Sequence, residues 1–193
     1  MNIVHMIGEL LRPIRSGEKK LLDAQPEVSY QNESIDISSS AFGNDQPIPV
    51  QYSADGAGDF PPLQWTNVPP HAKSLVLVIQ GPDAPKLKPF VHGIFYNIPS
   101  SFREIATSDI VYGKPAGKLV SAGVKMGTNS MFNAEYMPPM PLPGHGIHHY
   151  HFQLLALDID LFFEKAPSLD DIRKEIENHV FAFGVLVGTY ERK

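Results

Sequence analysis

The chain has 193 residues, with 16 Lys and Arg against 21 Asp and Glu for a formal net charge of −5, and it contains no cysteine. Disulfides, zinc–thiolate sites and thiol catalysis are therefore excluded, and the mild acidity speaks against a nucleic-acid partner, which calls for a basic footprint. No stretch reaches the roughly 18 uninterrupted apolar residues of a membrane span, and Glu9 and Arg12 break the first apolar run, so it does not read as a signal peptide and a cytoplasmic protein is expected.

Ile3, Ile7, Leu10, Leu11 and Ile14 fall on one helical face, and Pro13 ends that helix near Arg12. An amphipathic helix there either covers the protein's own core or packs on a partner subunit, which makes a homodimer through this helix one expectation. Residues 15–27 are polar and read as a linker. The division expected is 1–34 as helix and linker and 35–193 as the folded domain. In that domain, 73–80, 91–98, 148–157 and 181–190 read as strands, with weaker candidates at 30–37 and 118–125. Ser168 with Asp171 signals a capped helix whose buried stripe is Leu169, Ile172, Ile176 and Val180. Many strands, few helices and 18 prolines predict a mainly β protein, an antiparallel β-sandwich.

Phosphate-loop, zincin and nucleophile-elbow motifs are absent, and nothing calls for a cofactor. What stands out is histidine: four of the 8 lie in residues 145–151. On a strand, His148 and Tyr150 share one face and His149 and His151 the other. The first pair could line an anion pocket, the second could hold a metal with help from His5, His71 or His179, and either pair could be ordinary core or surface. Thr128 and Ser130 lie nearby in a long proline- and glycine-rich stretch, 127–147, with nothing tying them to a base.

Residues 81–92 (Gly-Pro-Asp-Ala-Pro, a variable stretch, then His92 opening a strand) and Gly146-Ile147-His148-His149-Tyr150 resemble the two motifs of the phosphatidylethanolamine-binding protein family, also called Raf kinase inhibitor-like, in its bacterial and archaeal branch. Ser40-Ala41-Phe42, Pro47-Ile48-Pro49, Asp55-Gly56, Pro61-Pro62-Leu63-Gln64-Trp65 and Leu186 to Arg192 follow in the family's order. The likeness spans roughly residues 35–192. It implies a sandwich of a large and a small sheet and a small cavity for phosphate or a phosphorylated head group, lined here by Asp83, Pro85, His92, Gly146, His148 and Tyr150, with Gly81 and Tyr136 as rim. It also implies a cis bond before Pro85. Eukaryotic members regulate kinases or inhibit proteases, activities that fold alone does not transfer.

Gly81 departs from the family pattern, which has Asp there. Losing that carboxylate is expected to favour an anion and disfavour an ammonium group. His92 and His148 are expected to hold the anion as imidazolium, so that affinity falls as pH rises through about 6.5–8, while Asp83 orients one of the two histidines. The function expected is a small-anion-binding protein, regulatory rather than catalytic. The alternatives are a protein-interaction or inhibitor module whose pocket no longer takes phosphoethanolamine, and a histidine-based metal hydrolase.

Overall fold

The structure is a computed structural model that describes residues 3–29 and 33–193. The proposed strand at 30–37 is thus described only from residue 33, where 33–34 and Asp36–Ser38 are both extended. We label the principal elements α1 (Ile3–Leu11), β1 (Asp36–Ser38), β2 (Leu63–Thr66), β3 (Ser74–Gly81), β4 (Phe90–Pro99), β5 (Glu104–Ile105), β6 (Lys125–Gly127), β7 (His148–Leu157), α2 (Leu169–Glu175) and β8 (Val180–Tyr190). The main sheet runs β8-β7-β3-β4-β6, and residues 33–34 and 46–47 lie alongside β8. A second, three-stranded sheet is β1-β2-β5.

The fold is mainly β, as expected, but the main sheet is mixed rather than antiparallel. Segments 33–34 and 46–47 both run parallel to β8. Every residue of β3 is buried, because both faces of the sheet are covered. Leu75, Leu77 and Ile79 share a core with Leu63 and Trp65 of β2 and Ile105 of β5, while Val76 and Val78 meet Ile172 and Ile176 beside α2. That double burial explains the continuous apolar run in the sequence.

Four local expectations are corrected. Residues 118–125 are not a strand. Lys118–Ser121 forms a helical turn anchored by buried Leu119, and Gly117 and Gly123, both at positive φ, bracket it before β6 begins at Lys125. Val180 does not belong to the helical stripe: α2 is capped by the Ser168 hydroxyl and ends at Glu175, and Val180 opens β8. The segment 15–27 is more than a linker, because Leu21 and Leu22 are almost completely buried against the sheet, as is Val28 just beyond it. The Leu22 amide donates to Gln80 Oε1 (2.9 Å) and the Asp23 amide to Gln153 Oε1 (2.8 Å), which seats the segment on the sheet's polar patch.

The fourth correction concerns α1, whose apolar face does not cover the core. Ile3, Ile7, Leu10 and Ile14 are exposed, and Gly8 is the buried residue. The helix docks through its glycine side, where a Cβ would collide with the Pro143 carbonyl. Close approach of backbone, rather than side-chain packing, holds it there.

Candidate functional site

β4 and β7 flank β3, and their ends carry the site. In register, β3 Gly81 lies opposite Phe90 of β4, and Gln80 opposite His151 of β7. The rings of His92 and Tyr150 meet in a T-shaped contact, 5.0 Å apart. A Cβ on Gly81 would lie 3.4 Å from His92 Nε2, in ordinary contact. Phe90 packs obliquely on His92 at 4.8 Å, and Lys86 Nζ lies 4.7 Å from the Phe90 ring centroid.

Each histidine is held in one tautomer by its partners. His92 Nδ1–H donates to the Met137 carbonyl (2.9 Å), which leaves Nε2 as an acceptor beside Gly81. His145 Nε2–H donates to the Leu11 carbonyl (2.9 Å), so its Nδ1 must accept from His148 Nε2–H (2.8 Å). The remaining acceptor of His148 is then Nδ1. Burial pushes both rings away from the charged form: His92 down to about 4 despite the Met137 carbonyl, and His148 down to about 4 despite nearby Asp83. At neutral pH the pair therefore offers two lone pairs, not the two imidazolium donors expected from reference values. Burial also holds the Tyr150 hydroxyl protonated, with the neighbouring Tyr136 and Asp83 adding to the effect.

Asp83 does orient a histidine, but neither of the two pocket ones. It lies in the turn after β3 and extends the ladder at the end of β7. Its Oδ2 accepts from the His149 amide (2.6 Å) and from His149 Nδ1 (2.8 Å). Its Oδ1 pairs with the Arg15 guanidinium, which also donates to the Ile147 carbonyl (3.1 Å). Burial raises the Asp83 pKa, but the His149 donors and Arg15 outweigh it and hold the carboxyl below its ordinary value.

Arg15 belongs to a segment that spans the site and that motif reading missed. Arg12 donates to the Gly144 carbonyl (3.1 Å). The Ser16 hydroxyl and the Gly17 amide both donate to the Pro82 carbonyl (2.8 and 3.0 Å). Gly146, at φ 92, sits beneath both guanidiniums: a Cβ there would be 3.6 Å from Arg12 Nε and 3.7 Å from Arg15 Nη2. The one signal available in the sequence was a pair of arginines, Arg12 and Arg15, three apart and flanking the helix-ending Pro13.

Of the residues singled out, Asp83, His92, Gly146, His148 and Tyr150 do come together with Gly81. Pro85 lies at the centre of a three-residue turn closed by the Lys86 amide on the Ala84 carbonyl (2.7 Å). The fixed φ of proline suits that turn, and no peptide bond among the described residues is cis, so the bond before Pro85 is trans. Tyr136 is buried wall rather than rim. It packs edge-on against Phe60 at 5.0 Å, and its hydroxyl has no partner among the described residues. The second pair does not converge: His149 turns to Asp83, while His151 Nδ1 lies 4.0 Å from Asp23. Among the described residues no group of three His, Asp or Glu could hold a metal. The Ser130 hydroxyl accepts from the Val91 amide, and that of Thr128 donates to the Pro167 carbonyl.

This constellation on this fold defines a class. Residues 38–191 match the phosphatidylethanolamine-binding protein family, and the chain belongs to it. Its relatives include a UPF0098 protein of Pyrococcus abyssi, 40% identical over 157 residues, which are 80% of this chain and 84% of that one. A UPF0098 protein of Methanothermobacter thermautotrophicus is 36% identical over 160 residues, covering 82% of this chain and 99% of its own. Among solved structures, the phosphatidylethanolamine-binding protein homolog CT736 of Chlamydia trachomatis superposes with a TM-score of 0.73 at 30% identity, covering 84% of this chain and 100% of that one. YbcL of E. coli, described as a member of the mammalian family, shares the fold at a TM-score of 0.73 and 21% identity, over 82% and 99% of the two chains. The Arg12–Gly17 segment lies outside the matched residues. Among the described residues no helix is long and apolar enough to cross a membrane.

Proposed function

We propose that this protein is a cytoplasmic, regulatory binder of small phosphate-type anions. On this reading residues 35–193 form the binding domain and the N-terminal segment completes its site. The observation that carries it is the pairing of Asp83 with Arg15. The carboxylate that would otherwise attract a ligand's ammonium group is neutralised by the chain's own cation. Gly81 removes a second carboxylate from the same place, so free phosphate or a phosphate monoester suits the site better than phosphoethanolamine. Arg15 and the Tyr150 hydroxyl would donate to the anion. His92 Nε2 and His148 Nδ1 would accept, so the ligand must itself bring a proton. A phosphate monoester carries that proton only below its second pKa of about 6, whereas free phosphate keeps one at neutral pH. Affinity for a monoester then falls with rising pH because the ligand titrates, not the histidines.

Calorimetric titration with phosphate and with sulfate at pH 6 tests this, since sulfate has the charge without the proton. Phosphate is expected to bind and sulfate to bind weakly. Arg15→Gln is expected to weaken phosphate about 10- to 100-fold, the worth of one charge-assisted hydrogen bond, and to narrow the gap to phosphoethanolamine. Equal binding of sulfate, or no saturable binding of phosphate, would overturn the reading.

A second reading, a protein-interaction module, is favoured by the exposed Ile3, Ile7 and Leu10 on α1. An apolar helix face open to water suits a homodimer or a protein partner. Sedimentation of Ile7→Glu/Leu10→Glu beside the parent chain tests it. A parent dimer turned monomer is expected, and identical monomers would remove this reading.

A further inference from the structure

Away from this site, the segment 18–25 arches over the sheet's opposite face and leaves a cavity of about 440 Å³ between itself, the 86–91 turn, the 128–132 loop and the start of α2. That volume lies within the roughly 300–1,000 Å³ typical of small-molecule sites. Its wall combines two chemistries. Leu22, Val91 and Leu169 form an apolar floor, while Lys19, Lys20, Lys88 and Arg173 stand round it against a single carboxylate, Asp170. On a chain with net charge −5, this is a local reversal of sign, which concentrates anions.

Two further observations point to a ligand. Gln80 lines the cavity and is 1% exposed. Its Oε1 accepts from the Leu22 amide and from Gln153 Nε2, but its own Nε2 donates to no group among the described residues. That Nε2 is open to the cavity rather than sealed in the core, so it is placed to donate to an acceptor bound there. At the mouth, Phe132 is 89% exposed and held at φ 63. A bulky side chain rarely takes that conformation, and such strain collects at ligand clamps. The conformation is built in: Asn129 Oδ1 accepts from the amides of Met131 and Asn133, and the Asn129 carbonyl accepts from Phe132.

We infer that this cavity is a second binding site, for an organic anion that joins a phosphate to a flat aromatic body, of the size of a nucleoside monophosphate. The aromatic body lies on the apolar floor under Phe132 with an acceptor on Gln80 Nε2, and the phosphate lies among Lys19, Lys20 and Lys88. Lys19, Lys20, Leu22 and Gln25 come from the part of the chain outside the family match. The site is thus a property of this chain's own N-terminal segment.

The test is calorimetric titration of the full chain carrying His148→Ala, which disables the phosphate site described above, with adenosine monophosphate, and with adenosine and inorganic phosphate as half-ligand controls. Saturable binding is expected for the nucleotide and much weaker binding for either half. Lys19→Ala/Lys20→Ala is expected to weaken it at least about tenfold, or ~1.4 kcal/mol. Phe132→Gly separates binding from folding, because glycine relieves the positive φ: the variant is expected to melt no lower than the parent yet to bind the nucleotide more weakly. The parent chain, with His148 intact, is expected to show the same nucleotide event, with any phosphate binding at the other site added to it. No saturable binding of the nucleotide in the His148→Ala chain, or equal affinity in the lysine and Phe132 variants, would each overturn the assignment.

Discussion

At the scale of single residues, Gly81 has the largest effect on the site's chemistry. Its missing side chain leaves His92 Nε2 without a charged neighbour. Burial then holds His92 neutral. Gly81 does not have positive φ, so a side chain can be introduced without backbone strain. Gly81→Asp restores a carboxylate beside Nε2, and an opposite charge at that range favours the imidazolium. The expected outcome is a His92 pKa raised from about 4 by ~1–3 units, read by NMR titration of the ring. An unmoved His92 would mean that burial alone sets its state. The same variant is expected to bind phosphate less well, since the new charge faces the anion.

At the scale of elements, α1 and the strap that follows it are coupled to the strand that carries the site. The coupling runs through hydrogen bonds from His148 to His145 and from His145 to the Leu11 carbonyl. It depends on Gly8, the one residue of α1 that lets the helix come against Pro143. Gly8→Val inserts a branched side chain where there is no room, at a cost of ~1–3 kcal/mol if the helix stays docked. The expected outcome is that α1 lifts away instead and the His145 partner is lost. Relieved of burial and of its fixed tautomer, His148 then titrates closer to 6.5, the ordinary histidine value, than to about 4. A His148 titration identical to that of the parent chain would show that the strap covers the site without tuning it.

At the scale of the whole molecule, two buried neutral histidines make stability depend on pH. Both have folded-state pKa values of about 4 against the ordinary histidine value of 6.5. Between those values the unfolded chain binds protons that the folded one does not, so stability is full above pH 6.5 and falls as pH drops toward 4. From pH 7 to 5 the loss is about 2 kcal/mol per histidine. His151, also lowered by burial, acts in the same direction, and Asp23, raised by burial, partly opposes it. Asp83, whose pKa is lowered, contributes only at more acidic pH. Denaturant unfolding at pH 7 and pH 5 is expected to show this drop, smaller by one histidine's share in His92→Gln. An equal drop in parent and variant would assign it to other groups.

By itself the sequence determined the pieces whose cause is local. The apolar run of β3, the alternation that put His148 and Tyr150 on one face, the Ser168 cap of α2 and the two motifs with their flanks were all legible, because period, capping chemistry and residue order are written along the chain. Tertiary structure decided what depends on distant segments meeting. Which protons the site histidines carry follows from the carbonyls of Met137 and Leu11, 45 and 134 residues away from the rings that donate to them. Arg15 reaches Asp83 across 68 residues, and no spacing rule connects them. Burial, which sets the charge of His92 and His148, is a property of everything packed around them. The expectation of imidazolium at the site failed for that reason: a reference pKa belongs to a residue in water, and the fold had taken the water away.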